Sequence, residues 1–299
     1  TAAAHAFATR FYLMKAQWDK VIEHADAVLG ANAETKLRNI KTLNAVALES
    51  RSAYYTESTN PSNILVGTAR SALAYRFQTH KYSLTLQKMA EICSPRNTHP
   101  LNFSNISWEA VNSALGDGAG NIVFPKSNYY YKYVNRSAGT RVYYSAAVLF
   151  SYDEVYLNRL EAYLMSGNLD QFRRDLFTYL IPKTHNSSRP NEAYPFPRMT
   201  FERYMTQAAL DRRYQGRGVD FDPSYPLTTR QREWLQAVVD IRRVEFVQEG
   251  LRWFDNKRLG MKVVHKVGDG QIELTKDDPR RELQIPNSAL EFGMAPNPR

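Results

Sequence analysis

A mainly α fold, made of tetratricopeptide-like helical repeats with long loop insertions and one small β-hairpin, is what this 299-residue sequence predicts. Three observations predict it. The run from Leu235 to Gly260, LQAVVDIRRVEFVQEGLRWFDNKRLG, is apolar around most of its helical circumference through Leu235, Val238, Val239, Ile241, Val244, Phe246 and Val247, and a helix of that kind is buried. An internal repeat sets Tyr12-Leu13-Met14 and Trp18-Asp19 against Tyr163-Leu164-Met165 and Leu169-Asp170 at a constant offset of 151 residues (163 against 12), which Val28-Leu29 and Tyr179-Leu180 keep. Two aromatic and β-branched runs, Tyr129 to Val134 and Arg141 to Phe150, flank a polar link from Asn135 to Thr140 and read as the hairpin.

Taken in chain order, each copy of the repeat reads as helix, short polar turn, helix. In the first copy Ala4, Ala8, Phe11 and Tyr12 form one apolar stripe, and Trp18, Val21, Ile22, Ala25 and Leu29 form the next. Small alanines at the crossing let two helices approach closely, which is the tetratricopeptide-like arrangement. The copies stand apart rather than in tandem, so long insertions must build the rest of the molecule. The first insertion contains an irregular stretch from Ser94 to Asn128, and loops of that length are functional surfaces or embellishments. Ser151 and Glu154 then form a Ser-x-x-Glu capping box that opens a helix. From Ile181 to Thr229, Pro182, Pro190, Pro195, Pro197, Pro223 and Pro226 exclude a continuous helix, with room for a short one around Phe201 to Tyr214. No linker divides the chain, and the interleaved repeats predict a single domain over 1–299.

The Leu235–Gly260 run also carries charge. Arg242, Glu245, Glu249 and Arg252 fall three and four apart, so a helix continuing through Gly250 would place an arginine one turn from each glutamate. Inside a core such charges need partners and fix register, which assigns Arg242, Glu245, Glu249, Gly250, Arg252, Asp255 and Arg258 a structural role.

This segment resembles the C-terminal signature of the SusD/RagB family, surface nutrient-binding lipoproteins of Bacteroidota, through Arg243, Glu245, Glu249, Gly250, Arg252, Phe254, Asp255, Lys257, Arg258 and Gly260. The chain has Ile241-Arg242 where the family more often has Glu-Arg. A second segment, VLFSYDEVYLNRLEAYLMSGNLD, resembles a family helix through Glu154, Val155, Tyr156, Leu157, Asn158, Arg159, Glu161, Ala162 and Tyr163. The opening helix pair and the closing Asn297-Pro298, followed by Arg299 where glycine is usual, resemble family features too. The resemblance implies a SusD-like fold whose usual N-terminal part lies outside this chain. It also implies capture of a glycan or peptide, without catalysis, for a SusC-like TonB-dependent transporter. Surface exposure on the outer membrane, through a lipid anchor upstream, follows from the same resemblance.

Composition fits a folded body: 43% of residues are apolar and the mean hydropathy is −0.51, with no run of membrane-spanning length. The single Cys93 excludes an internal disulfide framework and reads as a buried or idle thiol. The formal net charge of +9 suits an acidic partner, whether nucleic acid, anionic glycan or anionic surface. No run of five or six like charges marks a nucleic-acid arm, and nucleic acid is not expected as a partner. The six histidines (His5, His24, His80, His99, His185 and His265) lack metal-ligand spacing, and neither a nucleophile elbow nor a Walker loop is present. Gly116 to Asn121 reads as a plain turn, and Asp277-Asp278 has no constellation around it for acid/base work. No metal or cofactor is therefore expected. A helical glycoside-cleaving enzyme and a protein-binding tetratricopeptide scaffold are the alternative readings.

Tyrosine is in excess, with 19 copies. Flat aromatic rings stack on the C–H faces of sugars, and Trp108, Tyr54, Tyr55, Tyr75 and Tyr129 lie beside polar residues in or near loop-like sequence. Trp108, Tyr54, Tyr75 and Tyr129 are the candidate ligand-binding residues. Trp108 comes first for its large face and for nearby Asn102, Ser104, Asn105 and Ser107. Stacking rather than net charge is expected to drive recognition.

Overall fold

The computed structural model describes residues 1–76, 84–93, 98–101, 106–108, 114–115, 121–186 and 200–298. Its first half holds α1 (Ala2–Met14), α2 (Trp18–Leu29), α3 (Ile40–Ala45), α4 (Leu48–Tyr55), α5 (Leu73–Arg76) and α6 (Leu86–Ile92). The second half holds α7 (Tyr152–Met165), α8 (Leu169–Leu180), α9 (Phe201–Tyr204), α10 (Gln207–Tyr214), α11 (Thr229–Glu245), α12 (Leu251–Arg258) and α13 (Asn287–Leu290). Strands β1 (Asn63–Ala69), β6 (Ser127–Asn135) and β7 (Thr140–Ser151) form one antiparallel sheet in the order β1-β7-β6. Short strands β2 (Leu84–Thr85), β4 (Ala114–Leu115) and β5 (Asn121–Val123) form a second. The remaining pairs are β3 (Ile106–Trp108) with β8 (Thr184–Asn186), and β9 (Val263–Val267) with β10 (Gly270–Leu274).

The repeat is realised helix by helix. Met14 and Met165 close the first helices of the two pairs, Trp18 and Leu169 open the second, and Leu29 and Leu180 close them, each 151 residues apart (165 against 14). The stripe on α1 differs from expectation: Ala6, Thr9 and Leu13 face inward, while Ala4 and Phe11 are exposed. Phe7 and Phe11 stack on each other on the outer face, so a pattern that favours the larger apolar groups picks the wrong side. α7 packs against α1, α2, α8 and α11. Enclosed on these sides, it buries its polar residues Asp153, Glu154, Asn158, Arg159 and Glu161 along with its apolar ones.

Buried charge is paired mostly across elements, with Asp255–Arg258 on α12 a pair along one helix. α11 ends at Glu245, and Gln248 (φ 62°) and Gly250 (φ 84°) turn the chain before α12. Gly250 caps the new helix in a left-handed conformation that glycine adopts without strain. The predicted ladder therefore does not form. Arg242 instead reaches Asp255 of α12 (Nε to Oδ2 2.9 Å) and donates to Asn158 Oδ1 of α7 at 2.8 Å. Arg258 forks onto Glu161 with both terminal nitrogens and donates to Asp255 Oδ1 at 2.9 Å. Glu245 takes Lys183 as counter-ion at 2.9 Å and accepts from the Tyr179 hydroxyl at 3.0 Å. Glu249 takes Lys126 at 3.0 Å and accepts from the Tyr55 hydroxyl at 2.8 Å. Burial pushes the Glu245 carboxyl up, but Lys183 and Lys126 outweigh it and hold it down at about 2. Burial lowers Arg252 to about 10, with Arg243 adding to the effect.

Helix starts follow local chemistry. Thr228 and Gln231 form a complete capping box at α11. At α7 only the serine half of the expected box forms: Ser151 Oγ accepts from the Glu154 backbone N–H, while the Glu154 carboxylate receives Arg10 of α1 in a two-pronged pair at 2.6 Å. The Phe201–Tyr214 helix appears as α9 and α10, separated at Met205 and Thr206.

One buried carboxyl is left short of partners. Asp240 on α11 accepts from the Gln236 amide at 2.7 Å through Oδ1, whereas its Oδ2 has no hydrogen-bond partner among the described residues. Burial pushes this carboxyl up to about 6 against the pull of Gln236, Arg217, Arg252 and Arg243. A carboxyl whose folded pKa exceeds its unfolded value of about 3.9 contributes stability below that value and loses it as pH rises through the folded pKa. Thermal unfolding from pH 4 to 7 is expected to show this loss in the parent, about 2–3 kcal/mol for roughly two pKa units, and not in Asp240→Asn. Parallel pH profiles for the two proteins would refute the assignment.

Candidate functional site

The β6–β7 hairpin gathers tyrosines because Tyr129, Tyr130, Tyr131 and Tyr133 of one strand pair with a strand that carries Tyr143 and Tyr144. Side chains of a strand point to opposite faces in turn. The register pairs Tyr129 with Ser145, Tyr131 with Tyr143 and Tyr133 with Arg141 on one face, and Tyr130 with Tyr144 and Lys132 with Val142 on the other. On the first face Tyr131 lies 6.0 Å from Tyr143 and 5.4 Å from Tyr133, ring centre to ring centre, while Tyr129 lies 6.2 Å from Tyr143. The Arg141 guanidinium sits 4.5 Å over Tyr131 and 4.8 Å over Tyr133. On the opposite face Tyr130 and Tyr144 stack nearly parallel, 6° apart.

Tyr75 completes the first face from another element. It stacks on Tyr143 at 4.6 Å and 18°, and meets Tyr129 at 5.7 Å and 65°. Its position is fixed by a run of hydrogen bonds between α5 and β7. Ser71 N–H donates to the Tyr143 carbonyl at 3.1 Å, Ser145 Oγ donates to the Ser71 carbonyl at 2.9 Å, and Ala74 N–H donates to Ser145 Oγ at 3.2 Å. Ala74 is buried beneath the turn. At its other end β7 runs directly into α7, and Arg10 donates to the Leu149 carbonyl at 2.7 Å while holding Glu154. The tyrosine face is thus carried on a strand clamped to the helical core.

Two of the four candidate ligand residues, Tyr75 and Tyr129, are brought into ring contact here. Tyr54 is partly buried and packs against the cluster of Ile40, Leu43, Tyr55 and Phe124. Trp108 is corrected. It is 7% exposed on β3, its indole N–H donates to Thr98 Oγ1 at 2.9 Å, and His99 lies over it at 4.2 Å. The space beside it, lined by Cys93, Phe124, Lys126, Tyr179 and Lys183 among others, admits about 20 Å³, room for a water-sized body and not for a sugar ring. Its flat face is spent on the core. Asn102, Ser104 and Asn105 lie outside the described residues, as do Gly116 to Gly120. Sequence reasoning missed Tyr131, Tyr133, Tyr143 and Arg141, although the alternation in Tyr129–Tyr133 across a hairpin would have placed them beside Tyr129.

The face offers flat apolar area with hydroxyls at its edges, and Tyr131 is 43% exposed. Tyr75, Tyr129, Tyr133 and Tyr143 are half-buried beside it, and a contiguous, partly exposed aromatic patch is a candidate binding surface. A wider groove of about 750 Å³, lined by Glu34, Thr35, Leu37, Asn39, Lys41, Thr178, Ile181, Pro182 and Thr184, presents no aromatic ring among the described residues. Among the described residues no cluster of His, Cys, Asp and Glu is composed to hold a metal ion, and no helix is long and apolar enough to cross a membrane.

No family model and no curated protein matches the chain. Solved structures do. A SusD superfamily protein from Bacteroides thetaiotaomicron superposes with a TM-score of 0.53 at 16% identity, over 100% of this chain and 60% of that one. A second SusD superfamily protein, from Bacteroides vulgatus, gives 0.50 at 18% identity over 99% and 59%. Another solved structure, from Bacteroides vulgatus and named as a sugar-binding protein, gives 0.52 at 16% over 99% and 59%. The chain therefore has the SusD fold and spans about three fifths of the length of the structures it matches.

Proposed function

We propose that this chain captures a carbohydrate on the face formed by Tyr75, Tyr129, Tyr131, Tyr133 and Tyr143, and does not cleave it. The observation that carries the reading is the contiguity of that face: five rings from three elements, α5, β6 and β7, linked by ring contacts of 4.6–6.2 Å, with Tyr131 exposed and the other four half-buried beside it. The SusD fold, shared with a chain named for sugar binding, supports a sugar rather than a peptide as occupant. The same fold supports delivery to a SusC-like TonB-dependent transporter at the outer-membrane surface, with membrane attachment through a lipid anchor. A glycoside-cleaving reading needs two carboxylates facing each other across the bound sugar, and neither α5, β6 nor β7 contains an aspartate or glutamate. The test is affinity electrophoresis against a panel of plant, host and microbial polysaccharides, followed by reducing-end assay of the same mixtures. Retardation by at least one polysaccharide with no new reducing ends is expected. No retardation anywhere, or release of new ends, would overturn the reading.

A further inference from the structure

The sheet that carries the tyrosines is acid-free. Residues 63–76 and 127–151, which make up β1, α5, β6 and β7 with the β1–α5 and β6–β7 links, contain Arg70, Arg76, Lys132, Arg136 and Arg141 and not one aspartate or glutamate, in a chain that has 30 acidic residues. On a chance scatter the basic residues here would be interleaved with acids, as they are in the helices. Instead the helical core neutralises its arginines with carboxylates, as Arg242 and Arg258 show, whereas Arg136 and Arg141 on the hairpin are set against tyrosine rings. The neighbours of Arg141 are Tyr131, Tyr133 and Tyr143, and Arg136 lies 5.8 Å from the Tyr133 ring. Among the described residues no carboxylate pairs with Arg136 or Arg141.

From this we infer that the carbohydrate is anionic, a uronate- or sulfate-bearing chain whose ring stacks on the tyrosines while its acidic group meets Arg141, with Arg136 beside it. This rests on the sugar-binding reading and narrows it. An exposed guanidinium laid over aromatic rings keeps its edge free to donate, and the planar donor fork matches a carboxylate or sulfate two-pronged. Rings below and beside it hold the fork in place, which reduces the ordering cost on binding. A neutral sugar would gain from the rings but nothing from a surface with no counter-charge. The expectation that stacking alone drives recognition is thereby replaced by stacking combined with charge.

The experiment measures retardation of the parent, Arg141→Gln and Tyr131→Ala by matched probes. These are polygalacturonate and its methyl ester, chondroitin sulfate and its desulfated form, and neutral amylopectin, xyloglucan and mannan, at about 50 and 500 mM salt. Arg141 is exposed, so the variant keeps the fold, checked by its thermal midpoint. The expected result is retention by at least one acidic probe, loss of retention when that probe is esterified or desulfated, and about tenfold weaker binding at high salt and in Arg141→Gln. Retention of neutral probes that ignores salt and Arg141→Gln overturns the anionic assignment and leaves the sugar-binding reading standing. No retention by any probe removes both readings. Retardation by single-stranded RNA where no glycan probe is retained overturns the assignment in favour of a nucleic-acid ligand.

Discussion

Arg258→Met is expected to lower folding stability by about 3–5 kcal/mol, the range for removing one partner of a buried ion pair. Arg258 is the shared cation of two carboxylates with no other route to water: its side chain is 4% exposed, that of Glu161 0% and that of Asp255 1%. Truncating it strands Glu161 and leaves Asp255 with Arg242 alone. Methionine fills much of the same volume, so the loss measured is electrostatic rather than a cavity. Burial raises the Asp255 carboxyl, but Arg242 and Arg258 outweigh it and hold it below the usual range. A group lowered in the fold contributes stability above its unfolded pKa and loses it as pH falls through the folded value. The deficit of the variant should therefore be largest near neutral pH and shrink in acid. Lys257→Ala, one residue away and paired with Glu282 at the surface, should cost no more than about 1 kcal/mol. Chemical denaturation at pH 7 and pH 4 checks all three statements, and a deficit for Arg258→Met as small as that for Lys257→Ala would contradict them.

The contrast between the two ion-pair forecasts shows what the sequence made legible. That the charges of this run would lie in or at the core followed from the apolar residues interleaved with them, and Arg242, Glu245 and Asp255 are buried, with Glu249 half-buried. Which charge meets which did not follow, because i to i+4 spacing applies only while the helix lasts, and α11 stops at Glu245. The counter-ions Lys126, Lys183 and Glu161, and the amide acceptor Asn158, come from other elements, where no local pattern points at them. The helix pairs were legible because their period and their offset are intrinsic to the chain. The β6–β7 hairpin was legible for the same reason, while β1 joins it only through a long-range pairing of Asn63 with Ser151. The β9–β10 hairpin went unread although its signal was present, a valine-rich run and a short polar–apolar alternation joined by Gly268-Asp269.

The candidate site divides along the same line. Tyr75 and Tyr129 were chosen for their polar neighbours in sequence, and that criterion says nothing of burial. It therefore chose Trp108 as well, which the β3–β8 pairing and the Thr98 hydroxyl draw into the core. Strand parity is the better guide, since it separates Tyr129, Tyr131 and Tyr133 from Tyr130 without any knowledge of the rest of the molecule. Recruitment of Tyr75 is beyond any local rule, because the Ser71–Ser145 contact that sets it spans 74 residues.

The central claim is that the Tyr75–Tyr143 face, and not the opposite face of the same sheet, holds the carbohydrate. The measurement that tests it most directly is calorimetric titration of the retained polysaccharide into the parent, Tyr143→Ala, Tyr131→Ala and Tyr144→Ala, with thermal midpoints recorded alongside. Tyr143 contacts Tyr75, Tyr129 and Tyr131, so its removal takes one ring from the platform and unseats its neighbours. A loss of at least about tenfold in affinity is expected, the scale of a central aromatic anchor. Tyr131, more exposed and bound into the sheet by its backbone, guards against a folding artefact and should also weaken binding. Tyr144→Ala, on the other face, should bind as the parent does. Affinity that survives Tyr143→Ala and Tyr131→Ala in folded protein, or that falls with Tyr144→Ala instead, would contradict the account.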